Sequence, residues 1–193
     1  MTREAAYQLL TKYLKNKNLL KHSLSTEITM KALYKRLTPA AEQTTDGENT
    51  WGITGLLHDV DYEEAQKAGQ VEKHGTLEFV SEKDELPKDI LHGIQAHAFE
   101  YSKIMPESQM DWAITSCDQL TGLIIACALV RPEKLLAAVT PEAVLKKFKQ
   151  KAFAAGADRE MIKKCEEHLD IPLEEFVKIT LTAMQSIHTE LGL

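Results

Sequence analysis

The sequence predicts an all-α fold. Three observations carry that expectation: apolar residues recur at three- and four-residue spacing, capping residues stand at the heads of these stretches, and alternating β-branched runs are almost absent. At 193 residues the chain suits one domain, or one domain with an appendage. Its 44% apolar and 27% charged residues are ordinary for a packed domain and exclude a disordered or fibrous chain.

Ala5, Ala6, Leu9, Leu10 and Tyr13 mark an amphipathic first helix that ends near Asn16, Lys17 and Asn18. A second helix is expected over residues 20–37, with Leu24, Ile28, Ala32 and Leu33 turned inward and His22 near its start. Residues 38–50 are polar and contain Pro39 and Gly47, which predicts a loop or a loose short helix. Residues 51–60 are almost wholly apolar until His58 and Asp59, and an imidazole beside a carboxylate at the end of a buried helix needs partners. Residues 72–81 read as a short amphipathic helix carrying His74, and Pro87 opens another that carries His92 and His97. Ser108 or Asp111 caps a long helix through Val130, with Asp118 ahead of the apolar residues 120–130, and this helix should be central.

After Arg131 and Pro132 the composition changes. Thr140 caps a helix with Pro141 at its first position, Gly156 and Asp158 separate it from one over residues 159–169, and Asp170 and Pro172 open the last. Residues 132–193 therefore read as a C-terminal helical extension packed on residues 1–131 within a single structural domain.

A net charge of -6 and a pI near 5.7 argue against a nucleic-acid-coating surface and towards small ligands. Cys117, Cys127 and Cys165 form no CxxC pair and suit reduced thiols. The longest apolar run, residues 122–130, falls short of the ~20 residues that span a bilayer, and residues 1–10 lack the apolar stretch of a signal peptide. A cytoplasmic protein with no membrane or nucleic-acid partner is the expectation; the oligomeric state stays open.

Five of the seven histidines, with two aspartates, punctuate the first two-thirds of the chain. Imidazole nitrogen and carboxylate oxygen together suit zinc, iron, manganese and related ions. Adjacent residues on a helix point about 100° apart, so an ion across the helix end can meet both His58 and Asp59, and further ligands must come from other helices. His92 lies about 140° round from His97 and shares no face with it. His168 and His188 stand on polar helix ends and are expected to be solvated.

The informative elements follow in order: His22 in Lys-His-Ser-Leu; Gly-Leu-Leu-His-Asp-Val-Asp-Tyr over residues 55–62; His74 in Lys-His-Gly-Thr; His97 in Ile-Gln-Ala-His; and Asp118 in Ser-Cys-Asp-Gln-Leu-Thr-Gly. Over roughly residues 20–120 this set resembles the HD-domain superfamily of metal-dependent phosphohydrolases, in its HDIG-like H…HD…H…H…D form. The resemblance implies an HD-domain helical bundle, with residues 1–131 as the metal-binding core and the C-terminal helices as a cap. It implies that His22, His58, Asp59 and Asp118 hold one ion. His74 and His97 occupy the places that hold a second, bridged by Asp59. Two divalent ions follow, iron or manganese foremost, with zinc, cobalt, nickel and magnesium admissible.

The implied activity is hydrolysis of a small phosphate ester or nucleotide by metal-activated water, with Asp59 and His58 at the catalytic centre. Arg131 and the cluster of Lys146, Lys147, Lys149 and Lys151 are candidates to neutralise phosphate, Arg131, Lys149 and Lys151 foremost. Asp61 is a candidate acceptor behind a ligand histidine. One departure is plain: many two-metal members continue His-Asp-x-Gly-Lys, whereas Val60, Asp61 and Tyr62 follow here, so the family's substrate-contacting lysine is missing. Two alternatives accompany the hydrolase: a dinuclear-iron oxygenase, which some members are, and a nucleotide-binding domain without turnover.

Overall fold

The computed structural model describes residues 1–193, all helices and turns with no strand. At its centre lies α7 (Gln109–Leu129), apolar on nearly every face and sealed at its head by a capping box. There the Asp111 amide donates to Ser108 Oγ, and the Ser108 amide donates to the Asp111 carboxylate. By length and composition α7 could cross a membrane, but 61% of its most apolar stretch is buried within the fold, as befits a core helix.

Helix α2 (Lys17–Leu37) packs along both α7 and α3 (Thr45–Leu57). A Cβ added at Gly55 would stand 2.8 Å from the Thr26 carbonyl oxygen, so only glycine lets α2 and α3 approach this closely. The consequence reaches the chemistry. His22 precedes Thr26 by one turn and His58 follows Gly55 by nearly one, and the tight crossing brings the two imidazoles together. On the outer side of α3, α1 (Arg3–Tyr13) buries Ala6, Leu9, Leu10 and the following Leu14 against Ile53, Leu56 and Leu57.

Two short helices, α4 (Tyr62–Lys67) and α6 (Phe99–Ser102), flank α5 (Lys88–His97), which packs against α3 and α7. The chain closes with α8 (Pro141–Phe148), α9 (Arg159–Leu169), α10 (Leu173–Ser186) and α11 (His188–Leu191). Helix α9 lies along α7, and α10 against α2 and α8. Val144, Phe148, Ile162, Phe176 and Met184 enter the same apolar cluster as Met30, Ile114 and Ile124. Each such side chain contributes about 1.5–3 kcal/mol of burial, so the C-terminal helices share one core with α2 and α7.

Four local expectations are revised. Residues 72–81 are not a helix: a 3-10 turn at Val71–Lys73 is followed by turns with positive φ at Gly75 and Leu77. The reason is tertiary, because the amides of Gly75 and Leu77 donate to the buried Asp61 carboxylate instead of to a helix. Helix α2 begins at Lys17, earlier than expected, because Asn16 caps it by accepting from the Asn18 amide. Helix α3 likewise starts within the polar stretch, capped by Thr44, since its first turns are only partly covered. His168 is half-buried, stacked parallel on Trp112 with ring centroids 3.5 Å apart, whereas His188 is exposed as expected.

Candidate metal centre

Four helices and one loop deliver six side chains to one place. His22 comes from α2, His58 stands at the C-terminal end of α3 with Asp59 after it, His97 ends α5, Asp118 sits midway along α7, and His74 lies on the turn after Val71–Lys73. His22 Nε2 is 3.1 Å from His58 Nε2, 2.8 Å from Asp118 Oδ1 and 3.5 Å from Asp59 Oδ2. His74 Nε2 is 3.1 Å from His97 Nε2 and 3.0 Å from Asp59 Oδ1. Two groups able to hold an ion result, His22, His58 and Asp59 in one and Asp59, His74 and His97 in the other. Asp59 turns one oxygen to each.

The opposite side of each ring explains why this arrangement suits cations. His58 Nδ1 faces the Gly55 carbonyl at 2.8 Å, and His97 Nδ1 faces the Ile94 carbonyl. His74 Nδ1 faces Asp61 Oδ1 at 3.0 Å. His22 Nδ1 faces the Thr121 hydroxyl at 3.2 Å, whose own proton goes to the Asp118 carbonyl. Every one of these partners accepts, so each Nδ1 carries a hydrogen and each neutral ring points an Nε2 lone pair inward. Lone pairs 3.1 Å apart repel unless a positive charge lies between them. Nitrogen and carboxylate oxygen in this mixture fit zinc, iron or manganese, so the residues present suit a metal.

The electrostatics say what fills that need without metal. Burial disfavours the His58 imidazolium, but Asp59 and Asp118 outweigh it and hold the ring up to about 9. Burial likewise opposes the charge on His74, where Asp59 and Asp61 raise it to about 10. His97 goes the other way, pushed down to about 4 by burial and by the charges on His74 and His58. Burial works against ionising Asp59 and Asp118, yet the imidazoles hold both well below the usual carboxylate range. The neighbouring carboxylates thus favour one protonated ring in each half when metal is absent.

Asp61 is fully buried and accepts from His74, Gly75 and Leu77, fixing both the ring and its loop. Gln119 Nε2 donates to Asp118 Oδ2 at 2.7 Å, and its Oε1 accepts from the Asp158 amide at 3.0 Å, tying the ligand to the head of α9. Two clefts of about 280 and 320 Å³ open onto the centre, walled by Phe99, Tyr101, Gln119, Gly156, Asp158 and Met161 among others. Neither is lined by Arg131, Lys149 or Lys151, and neither is lined by any other lysine or arginine. Arg131 faces a separate cleft with Lys146 and Lys147, and Lys149 and Lys151 are exposed. His92 is held away from the centre by Asp111, 3.2 Å from its Nδ1. Cys117, buried beside Asp118, has its thiol pushed up by burial and serves packing.

Sequence reasoning missed Thr121, Gln119 and the carbonyls of Gly55 and Ile94. A signal existed for the carbonyls: each lies three residues before a histidine at a helix C-terminus, where carbonyls lack an intrahelical partner. Comparison with protein-family models, with curated proteins and with solved structures finds no match for this chain.

Proposed function

We propose that the protein is an HD-type, metal-dependent phosphohydrolase that cleaves a small phosphate ester or nucleotide. The observation carrying this reading is the shared Asp59, which offers Oδ2 to the group containing His22 and His58 and Oδ1 to the group containing His74 and His97. Together with the ordered H…HD…H…H…D residues it favours a paired centre, filled foremost by iron or manganese. Paired divalent ions supply an acidified water as nucleophile and stabilise the attacking and leaving oxygens of an in-line phosphoryl displacement.

The chain's own residues do the rest by position. The four Nδ1 contacts keep the lone pairs aimed inward, so the rings need no reorientation. Asp59 spans both groups and fixes their separation. Gln119 occupies Asp118 Oδ2, leaving Oδ1 facing the imidazoles. The cleft of about 280 Å³ lies at the low end of ligand-site volumes, which favours a small substrate. No lysine or arginine lines it, so neutralising the phosphate charge would be left to ions held by the six side chains.

The test is a panel of nucleotides and sugar phosphates, incubated with manganese, iron, cobalt, nickel and magnesium in turn while phosphate release and oxygen uptake are both recorded. Metal-dependent phosphate release without oxygen uptake, abolished in Asp59→Asn, is expected. Oxygen consumption coupled to turnover would establish the oxygenase alternative. An Asp59→Asn protein that keeps its metal content and its activity would refute the enzyme reading.

A further inference from the structure

Charge is distributed unevenly along this acidic chain. Residues 131–151 hold six basic groups against two acidic ones, Glu133 and Glu142, a local excess of four positive charges in a protein of net -6. Three of the six converge. Arg131, Lys146 and Lys147 line a cleft of about 430 Å³ with the Gln150 amide, over an apolar floor that includes Val130 and Val139. No carboxylate lines it.

These cations are poorly matched by the protein itself. Arg131 Nε is buried without a hydrogen-bond partner, and the nearest carboxylate, Glu133, stands 3.9 Å away and half exposed. Lys147 contacts only neutral groups, the Gln150 side chain at 3.2 Å and the Phe153 ring at 4.5 Å from its centroid. Cations in a last helical turn complement the helix dipole, which accounts for Lys146 and Lys147 on α8. It does not account for an arginine beyond the end of a second helix facing the same cavity. A guanidinium fork beside two ammonium groups is the arrangement that recognises phosphate oxygens.

We infer that the cleft of Arg131, Lys146 and Lys147 binds a phosphoryl anion, at a site separate from the metal centre. Leu129 at the end of α7 lies eleven residues beyond Asp118, about 16 Å along the helix, so neither ligand reaches the other. The inference therefore stands whether or not the chain is a phosphohydrolase. The volume admits a phosphate with an organic body resting on Val130 and Val139. The same chemistry is offered by a free phosphorylated metabolite or by a phospholipid headgroup, and Leu129, Val130 and Leu135, which are 49%, 61% and 48% exposed, make the second source physically reasonable.

Inorganic pyrophosphate, titrated into the full-length chain in the presence of a chelator and followed by amide chemical shifts, is the direct probe. Shifts are expected over residues 127–131 and 139–150, with affinity at least tenfold weaker in Lys146→Gln/Lys147→Gln and in Arg131→Gln, and unchanged in Asp118→Asn. The lysine pair bears exposed or half-exposed side chains, so that variant keeps the test sound even if Arg131→Gln folds poorly. A second arm sediments the protein with phosphatidylcholine vesicles containing or lacking phosphatidic acid. Binding to the acidic vesicles without a pyrophosphate response, lost in the lysine variant, supports the site and assigns the anion to a headgroup. Absence of both responses, or pyrophosphate binding lost only in Asp118→Asn, overturns the inference.

Discussion

The two halves of the centre are chemically alike and built by different means. His22, His58 and Asp118 are held by helices, with α2 and α3 pressed together at Gly55 and the largely buried α7 behind them. His74 has no helix. It sits on a turn with positive φ at Gly75 and Leu77, and its position depends on one buried carboxylate that accepts three hydrogen bonds. A helical half inherits rigidity from the core. In the other half only His97, at the end of α5, does so, and His74 takes its placement from Asp61, so the two halves should fail under different insults.

Asp59 is where the comparison collapses, because it is common to both halves. Asp59→Ala is expected to empty both groups, with a loss of activity exceeding the 10- to 100-fold typical of outer-layer substitutions. Metal analysis by mass spectrometry checks this. Retention of one full equivalent of metal would show that the halves are independent.

Acidity acts on both halves through different residues. His58 and His74 titrate near 9 and near 10 in the metal-free fold, above the ordinary 6.5 of histidine, so each contributes stability that is fully present below pH 6.5 and fades as pH rises through those values. Asp59 and Asp118, held low, contribute above the ordinary carboxylate range and lose that contribution on acidification. Metal must displace the imidazolium protons, so affinity in each half should rise about tenfold per pH unit until His58 or His74 has deprotonated. Titrations in metal-buffered solution from pH 6 to 9 test this, and a pH-independent affinity would contradict the protonated ring in each half.

Asp61→Asn separates the halves. Binding in the His74 and His97 group should weaken about 10- to 100-fold while the His22 group keeps its affinity. Asn keeps an acceptor oxygen but places an amide where a carboxylate received donors, and the loop should loosen, read as faster amide exchange at Gly75 and Leu77. Equal weakening of both groups would mean that the loop also supports the helical half.

The same contrast explains what could be read from the chain beforehand. Helices with a strong cap, α7 behind Ser108 with its long apolar run and α9 behind Asp158 with its regular apolar stripe, were legible because local chemistry decides them. Asp59 and the five side chains around it were legible through their order, and so was Asp61 as an acceptor for one of the histidines. The His74 segment misled because amphipathic spacing suggests a helix, whereas the Asp61 carboxylate, fourteen and sixteen residues back, claims the amides of Gly75 and Leu77. The destination of Arg131 was hidden for a related reason: sequence shows which residues are basic, but the direction in which α7 carries them away from Asp118 is a property of packing.

Thr121→Val probes the helical half most gently. The hydroxyl accepts from His22 Nδ1 at 3.2 Å and donates to the Asp118 carbonyl, one turn behind the ligand it helps to place. Valine keeps the volume and the branching but leaves the ring N–H unpaired, at a cost of about 1–3 kcal/mol for a buried donor. Part of that cost is recovered if His22 changes tautomer, but the proton then sits on Nε2 and blocks the lone pair. The expected result is affinity about tenfold lower in the His22 group alone, at the low end for such partners, with the His74 group unchanged. Thr121→Ser should restore binding, because it returns the acceptor. Failure of serine to rescue would show that the threonine acts through the packing of its methyl group, which serine lacks, rather than by orienting the imidazole.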